Sequence, residues 1–164
     1  GTFGVVYLGV GLAVLAQSVL NSIIFPKLTH EKIEQGQYQV VRTSLKFTLI
    51  ALAVFTFGLC LVLPVLRGLF GTYFVYYGLN DNILYLAMVL MVLRGSEFLS
   101  NALLILNKEK VLIGIRLMLT TISAICIFTF TKRVEEILII TVLASVIYSV
   151  MLALYLLRFN ERSF

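Results

Sequence analysis

The stretch Met88–Asn101, MVLMVLRGSEFLSN, decides how this chain folds. It places Arg94 and Glu97 near the middle of an apolar run from about Ile83 to Leu106. A helix needs roughly 20 such residues to cross the hydrocarbon of a bilayer. Arginine near the centre of that helix costs about 2.5–3.5 kcal/mol even on the lenient insertion scale. A chain tolerates the cost when the charge is paired inside the protein or lines a wet cavity. The spacing puts Arg94 and Glu97 on one helix face, and Asn101 extends that face by another turn. Two readings follow: an internal ion pair that locks helix packing, or a polar patch on a solute path, which ionisable residues at this depth usually mark.

Hydrophobic residues make up 60% of the chain and charged residues 13%, with a mean hydropathy of +1.03. Soluble domains carry about 25% charge, so the composition is that of an integral membrane protein. Its apolar runs are continuous and lack the alternation of barrel strands, which makes the expected fold all-α: a polytopic transmembrane bundle of about five spanning helices. Residues 1–164 read as one transmembrane domain. The formal charge of +5 calls for no nucleic acid, because the basic residues cluster between the apolar runs. Cys60 and Cys126 lie within apolar runs, without metal-ligand or CxxC spacing, and are expected as small core residues. The sequence contains no Walker A loop, dinucleotide motif, metal-ligand cluster or catalytic triad, so neither enzymatic chemistry nor a cofactor is expected. The chain opens on Gly1, already within an apolar run, and is expected to be a fragment of something longer.

The first span, about Thr2 to Phe25, is expected to stop at Pro26. Its small residues (Gly4, Gly9, Gly11, Ala13, Ala16, Ser18) permit close helix approach. Gln17 and Asn21 stand one turn apart, as interhelical hydrogen-bonders or as cavity lining. Lys27–Thr43 is the longest polar segment, with Thr29 as a helix cap, a break at Gly36 and a solvated His30. The second span covers about Leu45 to Leu66, with a kink or early stop near Gly58 and Pro64. Arg67–Asn80, rich in tyrosine and phenylalanine, reads as an interfacial segment lying flat. The third span ends in the turn Asn107–Lys110. The fourth, about Val111 to Thr131, carries Arg116, which either snorkels to the headgroups or faces the same cavity as Arg94. The fifth, about Ile137 to Leu157, carries Thr141, Ser145, Tyr148 and Ser149 as a packing stripe.

Five passes would place eight Lys or Arg on one side of the membrane, Lys27, Lys32, Arg42, Lys46, Lys108, Lys110, Arg158 and Arg162, and three on the other, Arg67, Lys132 and Arg133. The positive-inside rule then puts the richer side, and the C-terminus, in the cytoplasm.

The order of these pieces resembles a known family. Gly4-x-x-Tyr7 opens a helix ending in IIFPKLTHE, then come VLRGLFGTYF, a third helix and NALLILNKEKVLIG. This is similar to the C-terminal half of bacterial polysaccharide (lipid-linked oligosaccharide) flippases of the multidrug/oligosaccharidyl-lipid/polysaccharide exporter superfamily. The matching positions are Gly4, Tyr7, Pro26, Phe70, Gly71, Phe74 and Lys108. Phe74 stands where tyrosine is usual, and Asn107 where glycine commonly precedes the lysine. The likeness covers about residues 1–115.

The resemblance implies a multi-pass protein of the bacterial cytoplasmic membrane with two pseudo-symmetric halves. It would carry an undecaprenyl-pyrophosphate-linked oligosaccharide between leaflets by alternating access, with this chain as most of the second half and an N-terminal half missing. A pyrophosphate in a low-dielectric cavity needs cationic donors, and the planar fork of arginine suits phosphate oxygens. Arg94 is the first candidate for that contact and Arg116 the second. Glu97 would orient Arg94 or bind the proton or sodium ion that drives the cycle, with Asn101, Gln17 and Asn21 completing a polar lining against membrane lipids. Three other functions compete: a cation-coupled multidrug exporter of the same superfamily, a membrane-embedded polysaccharide polymerase, and a scaffold in which Arg94–Glu97 only pairs helices. A buried arginine suits cationic drugs poorly, and the short loops hold no clustered carboxylates for catalysis.

Overall fold

In hydrocarbon a backbone can satisfy its polar groups within one segment only as a helix, and helix is what the apolar runs form. The computed structural model describes the backbone of residues 2–76 and 81–161, and side chains there except at 2–10, 12–13, 34–35, 62–63, 66–67, 69–76, 81, 134 and 159–161. The described residues form α1 (Thr2–Gln35), α2 (Gln37–Tyr76), α3 (Asp81–Leu93), α4 (Glu97–Ile105), α5 (Glu109–Phe130) and α6 (Val134–Glu161), with a 3-10 turn, Arg94–Ser96, joining α3 to α4. Among them, four stretches are long and apolar enough to cross a membrane: Gln37–Leu61, Asn82–Ile105, Glu109–Phe130 and Glu135–Arg158. The chain is an all-α, multi-pass membrane bundle. In the expected first span the side chains of residues 2–10 and 12–13 lie outside the described residues.

The α3–α4 rod is the centre. Of its apolar window 39% is buried within the bundle, against 17% for α2 and α5 and 11% for α6. The outer helices therefore turn residues such as Leu117, Phe128, Leu143 and Val150 outward, where acyl chains, not water, can meet them. Both cysteines follow this pattern: Cys60 is exposed and Cys126 half-buried, so the expectation of core cysteines is not met.

Several expected boundaries are overrun. Helix α1 continues through Pro26 to Gln35, and α2 through Pro64 to Tyr76. A proline removes one N–H and costs about 3 kcal/mol in a helix interior, but a wholesale stop would strand several more backbone groups. At Pro26 the neighbours also hold the rod straight through: Ile24 and Leu28, one turn apart on the same face, are 8% and 0% exposed in the main core cluster. Thr29 is consequently no cap; its hydroxyl donates back to the Phe25 carbonyl at 3.0 Å. His30 sits exposed on the helix instead of in a loop. The backbone of the expected flat segment is helical as far as Tyr76, while its aromatic side chains and residues 77–80 lie outside the described residues.

The break at Gly36 is where it was expected. Its φ of +84° is a left-handed conformation open to glycine, and it alone separates α1 from α2. The α4–α5 turn uses the same device with asparagine: Asn107 has φ +57°. There Lys108 N–H donates to Leu103 at 2.8 Å and Asn107 N–H to Leu104 at 3.0 Å, the bond pair of a Schellman ending. Asparagine can stand where glycine is usual because it is the other residue that visits this region routinely. Lys32 of α1 donates to the Ile105 carbonyl, closing the free C-terminal end of α4. At the start of α6, the Glu136 carboxylate accepts from the Lys132 and Arg133 N–H groups at 2.7 and 3.1 Å.

The core gathers Ile24 and Leu28 of α1, Val40, Val41 and Ala51 of α2, Phe98, Leu99, Ala102, Leu103, Ile105 and Leu106 of the central rod, Leu112 of α5, and Leu152 and Leu156 of α6. Just beyond it, the 3-10 turn presses on α2. A Cβ on buried Gly95 would lie 3.1 Å from the Leu52 backbone nitrogen and 3.2 Å from the Ala51 Cβ. Gly95→Val is therefore expected to lower stability by about 1–3 kcal/mol through overpacking, read as a reduced melting temperature in detergent. Gly58→Ala, with nothing within 4 Å of the added carbon, serves as the tolerated control.

Candidate functional site

The central rod changes pitch where its charge sits. A 3-10 turn has three residues per turn and eclipses positions i and i+3, so Arg94 and Glu97 are stacked, with Nη1 3.6 Å from Oε1. Ser96 supports the turn by donating from its hydroxyl to the Leu93 carbonyl at 2.7 Å. The local sequence explains the placement: Gly95 alone permits the approach to α2, and Ser96 can satisfy a carbonyl that the changed pitch leaves open.

Arg116 of α5 reaches the same carboxylate. Its Nη2 donates to Glu97 Oε2 at 3.0 Å and Oε1 at 3.3 Å, while its Nε donates to the Tyr148 hydroxyl of α6 at 3.0 Å. Tyr148 lies 2.8 Å from the hydroxyl of buried Ser100. Because the tyrosine oxygen accepts from Arg116, its own proton is available to Ser100. Four polar side chains thus tie α4, α5 and α6 together, with Arg116 bonded to the Glu97 carboxylate.

A second polar chain joins α1 to α4. The Asn21 side-chain carbonyl accepts from Gln17 Nε2 at 3.1 Å and from Asn101 Nδ2 at 2.9 Å. Asn21 meets Asn101 while Lys32 meets Ile105, so residue numbers rise together and α1 runs parallel to the central rod. Gln17 is 3% exposed, and its Oε1 has no hydrogen-bond partner among the described residues. A buried acceptor left unpaired costs about 1–3 kcal/mol, the kind of defect that marks a site more often than a packing interface.

The two chains face each other across a half-open recess of about 170 Å³, lined by Val14, Gln17, Ser18, Asn21, Arg94 and Glu97. Four of the six residues singled out from the sequence therefore line it, and the other two, Asn101 and Arg116, bond directly to the lining. The two guanidiniums differ in their bonding and not in their exposure. Arg116, with 53% of its side chain exposed, makes three hydrogen bonds within the bundle, whereas Arg94, with 41% exposed, meets Glu97 in an ion pair at 3.6 Å. Among the described residues, no group of His, Cys, Asp and Glu could hold a metal ion.

Ser100 and Tyr148 escaped the sequence reading. The helical spacing of Tyr148 with Thr141, Ser145 and Ser149 reads as a packing stripe; those three hydroxyls each donate back to a carbonyl of their own helix four residues earlier at 2.8 Å, whereas Tyr148 reaches across to Arg116 and Ser100. The signal that could have separated Tyr148 is its reach: a phenol cannot fold back onto its own helix as a short hydroxyl does. Tyr148→Phe is expected to destabilise by about 1–2 kcal/mol. Combined with Arg116→Gln it should fall short of additivity by about 1 kcal/mol, because the two side chains share one network; thermal unfolding of the four variants of that cycle checks both values.

Among known proteins, the chain matches no family model, no curated protein and no solved structure.

Proposed function

We propose that this chain forms part of a bacterial membrane transporter that moves an anionic, lipid-linked oligosaccharide across the cytoplasmic membrane by alternating access, with Arg94 meeting the phosphate. One observation carries the reading: a guanidinium whose contact with the carboxylate beside it is an ion pair at 3.6 Å, without a hydrogen bond, stands on the wall of a half-open recess. Hydrocarbon disfavours that charge, so its retention argues for an anionic visitor. Arginine also presents its donors as a planar fork that a phosphate can accept in pairs. The uncharged lining, Gln17, Ser18 and Asn21, supplies amide and hydroxyl groups of the kind that bind sugars. Sequence order adds the resemblance to polysaccharide flippases set out above. In this reading Glu97 holds Arg94 in place while the site is empty, and Arg116 with Tyr148 holds Glu97. The C-terminus is then cytoplasmic, on the side richer in Lys and Arg. A cation-coupled drug exporter fits less well, since Arg94 would repel a cationic solute at the recess.

The test is complementation of a bacterial strain lacking its own polysaccharide flippase by the full-length protein. Arg94→Ala is expected to abolish surface polysaccharide at normal expression, and Arg94→Lys to restore a fraction of it, since charge survives and the fork does not. Normal polysaccharide from both variants would end the proposal.

A further inference from the structure

The charges around the recess do not cancel, and their arrangement limits what can bind. At the recess the described residues place three formal charges: Arg94 and Glu97 on its wall, and Arg116 bonded to Glu97. Glu97 is held by two hydrogen bonds from Arg116, at 3.0 and 3.3 Å, while its distance to Arg94 is 3.6 Å. The carboxylate is thus shared between two guanidiniums and held more closely by Arg116, and Tyr148 and Ser100 fix that closer pair from the far side. What stays uncompensated on the recess is one positive charge, Arg94. Beside it stands Gln17, whose buried side-chain carbonyl oxygen has no donor among the described residues.

We propose that the recess between α1 and the 3-10 turn is a site for a single negative charge, a phosphodiester monoanion with a neighbouring hydroxyl, bound to the Arg94 fork with Glu97–Arg116 as a fixed counterweight. The anion completes Arg94, and the hydroxyl meets the polar lining beside it, Gln17, Ser18 and Asn21. A doubly charged oxyanion leaves one charge unmatched in a low-dielectric site, where an unpaired charge is strongly penalised. This deepens the transport reading and rests on it for Arg94 as the group that meets substrate. It adds that the recess by itself neutralises one phosphate charge, so a pyrophosphate must find its second cation elsewhere.

The experiment uses the full-length protein in nanodiscs and chloride-free buffer, with melting temperature as the readout and circular dichroism to verify folding. One arm uses zwitterionic phosphatidylcholine discs with soluble dimethyl phosphate or sulfate. The other uses discs containing phosphatidylglycerol and no added phosphate. Stabilisation by dimethyl phosphate above sulfate identifies a site open to soluble diesters. Stabilisation by phosphatidylglycerol alone identifies one reached from the lipid; either supports the proposal. Arg94→Gln is expected to weaken binding roughly ten- to hundredfold. Arg94→Lys should retain part of it, which separates lost charge from lost fold. Glu97→Gln, which leaves two uncompensated guanidiniums, should shift preference toward sulfate. Equal or tighter binding of sulfate by the unaltered protein would overturn the single-charge proposal and leave the transport reading standing. Absence of anion stabilisation in every arm, or binding unchanged in Arg94→Gln, would remove both.

Discussion

A guanidinium inside an apolar bundle must be answered by an opposite charge, and here one carboxylate faces two of them. Glu97 lies 3.0 Å from Arg116 and 3.6 Å from Arg94. That asymmetry governs the rest of the interior. The shorter contact, with Tyr148 and Ser100 behind it, holds α4, α5 and α6 in one arrangement. The longer one leaves a cation facing open space. In a medium of low dielectric, ion pairs are worth forming only with good geometry and further hydrogen bonds, and Arg116 has both.

The fold sets these distances by packing small groups where helices must come close. Gly95 lets the 3-10 turn lie against Ala51 and Leu52 of α2, and the changed pitch stacks Arg94 over Glu97. Along the parallel pair of α1 and the central rod, the apolar core (Ile24, Leu28, Phe98, Leu99, Leu103, Leu106) and the recess (Val14, Gln17, Ser18, Asn21, Arg94, Glu97) follow one another in register. One end of the pair is sealed by Leu28, Leu103 and the Lys32 contact to Ile105; the next stretch carries the amides and charges of the recess. Rigid packing beside a polar opening is how a membrane protein keeps costly groups in fixed positions.

Helix class and the last three spans were legible because hydrocarbon admits so few alternatives for a backbone. The prolines misled because a local rule, loss of one hydrogen bond and a ring clash, was outweighed by the larger cost of ending a helix among apolar surroundings. Ile24 and Leu28, buried on either side of Pro26, supply the tertiary part of that balance. Gly36 and Asn107 were readable as breaks because a left-handed φ is written in residue type.

The site divides in the same way. By itself the sequence determined an all-helical membrane bundle, and it determined that Arg94, Glu97 and Arg116 are costly at their depth, since both follow from the transfer free energies of residue types. Only the tertiary structure decided which guanidinium the carboxylate takes, that Tyr148 and Ser100 belong to the network, and that Gln17 and Asn21 close the other wall of the recess. Those contacts join residues 32, 48 and 80 positions apart, and no periodicity along one helix specifies which face of another it will meet.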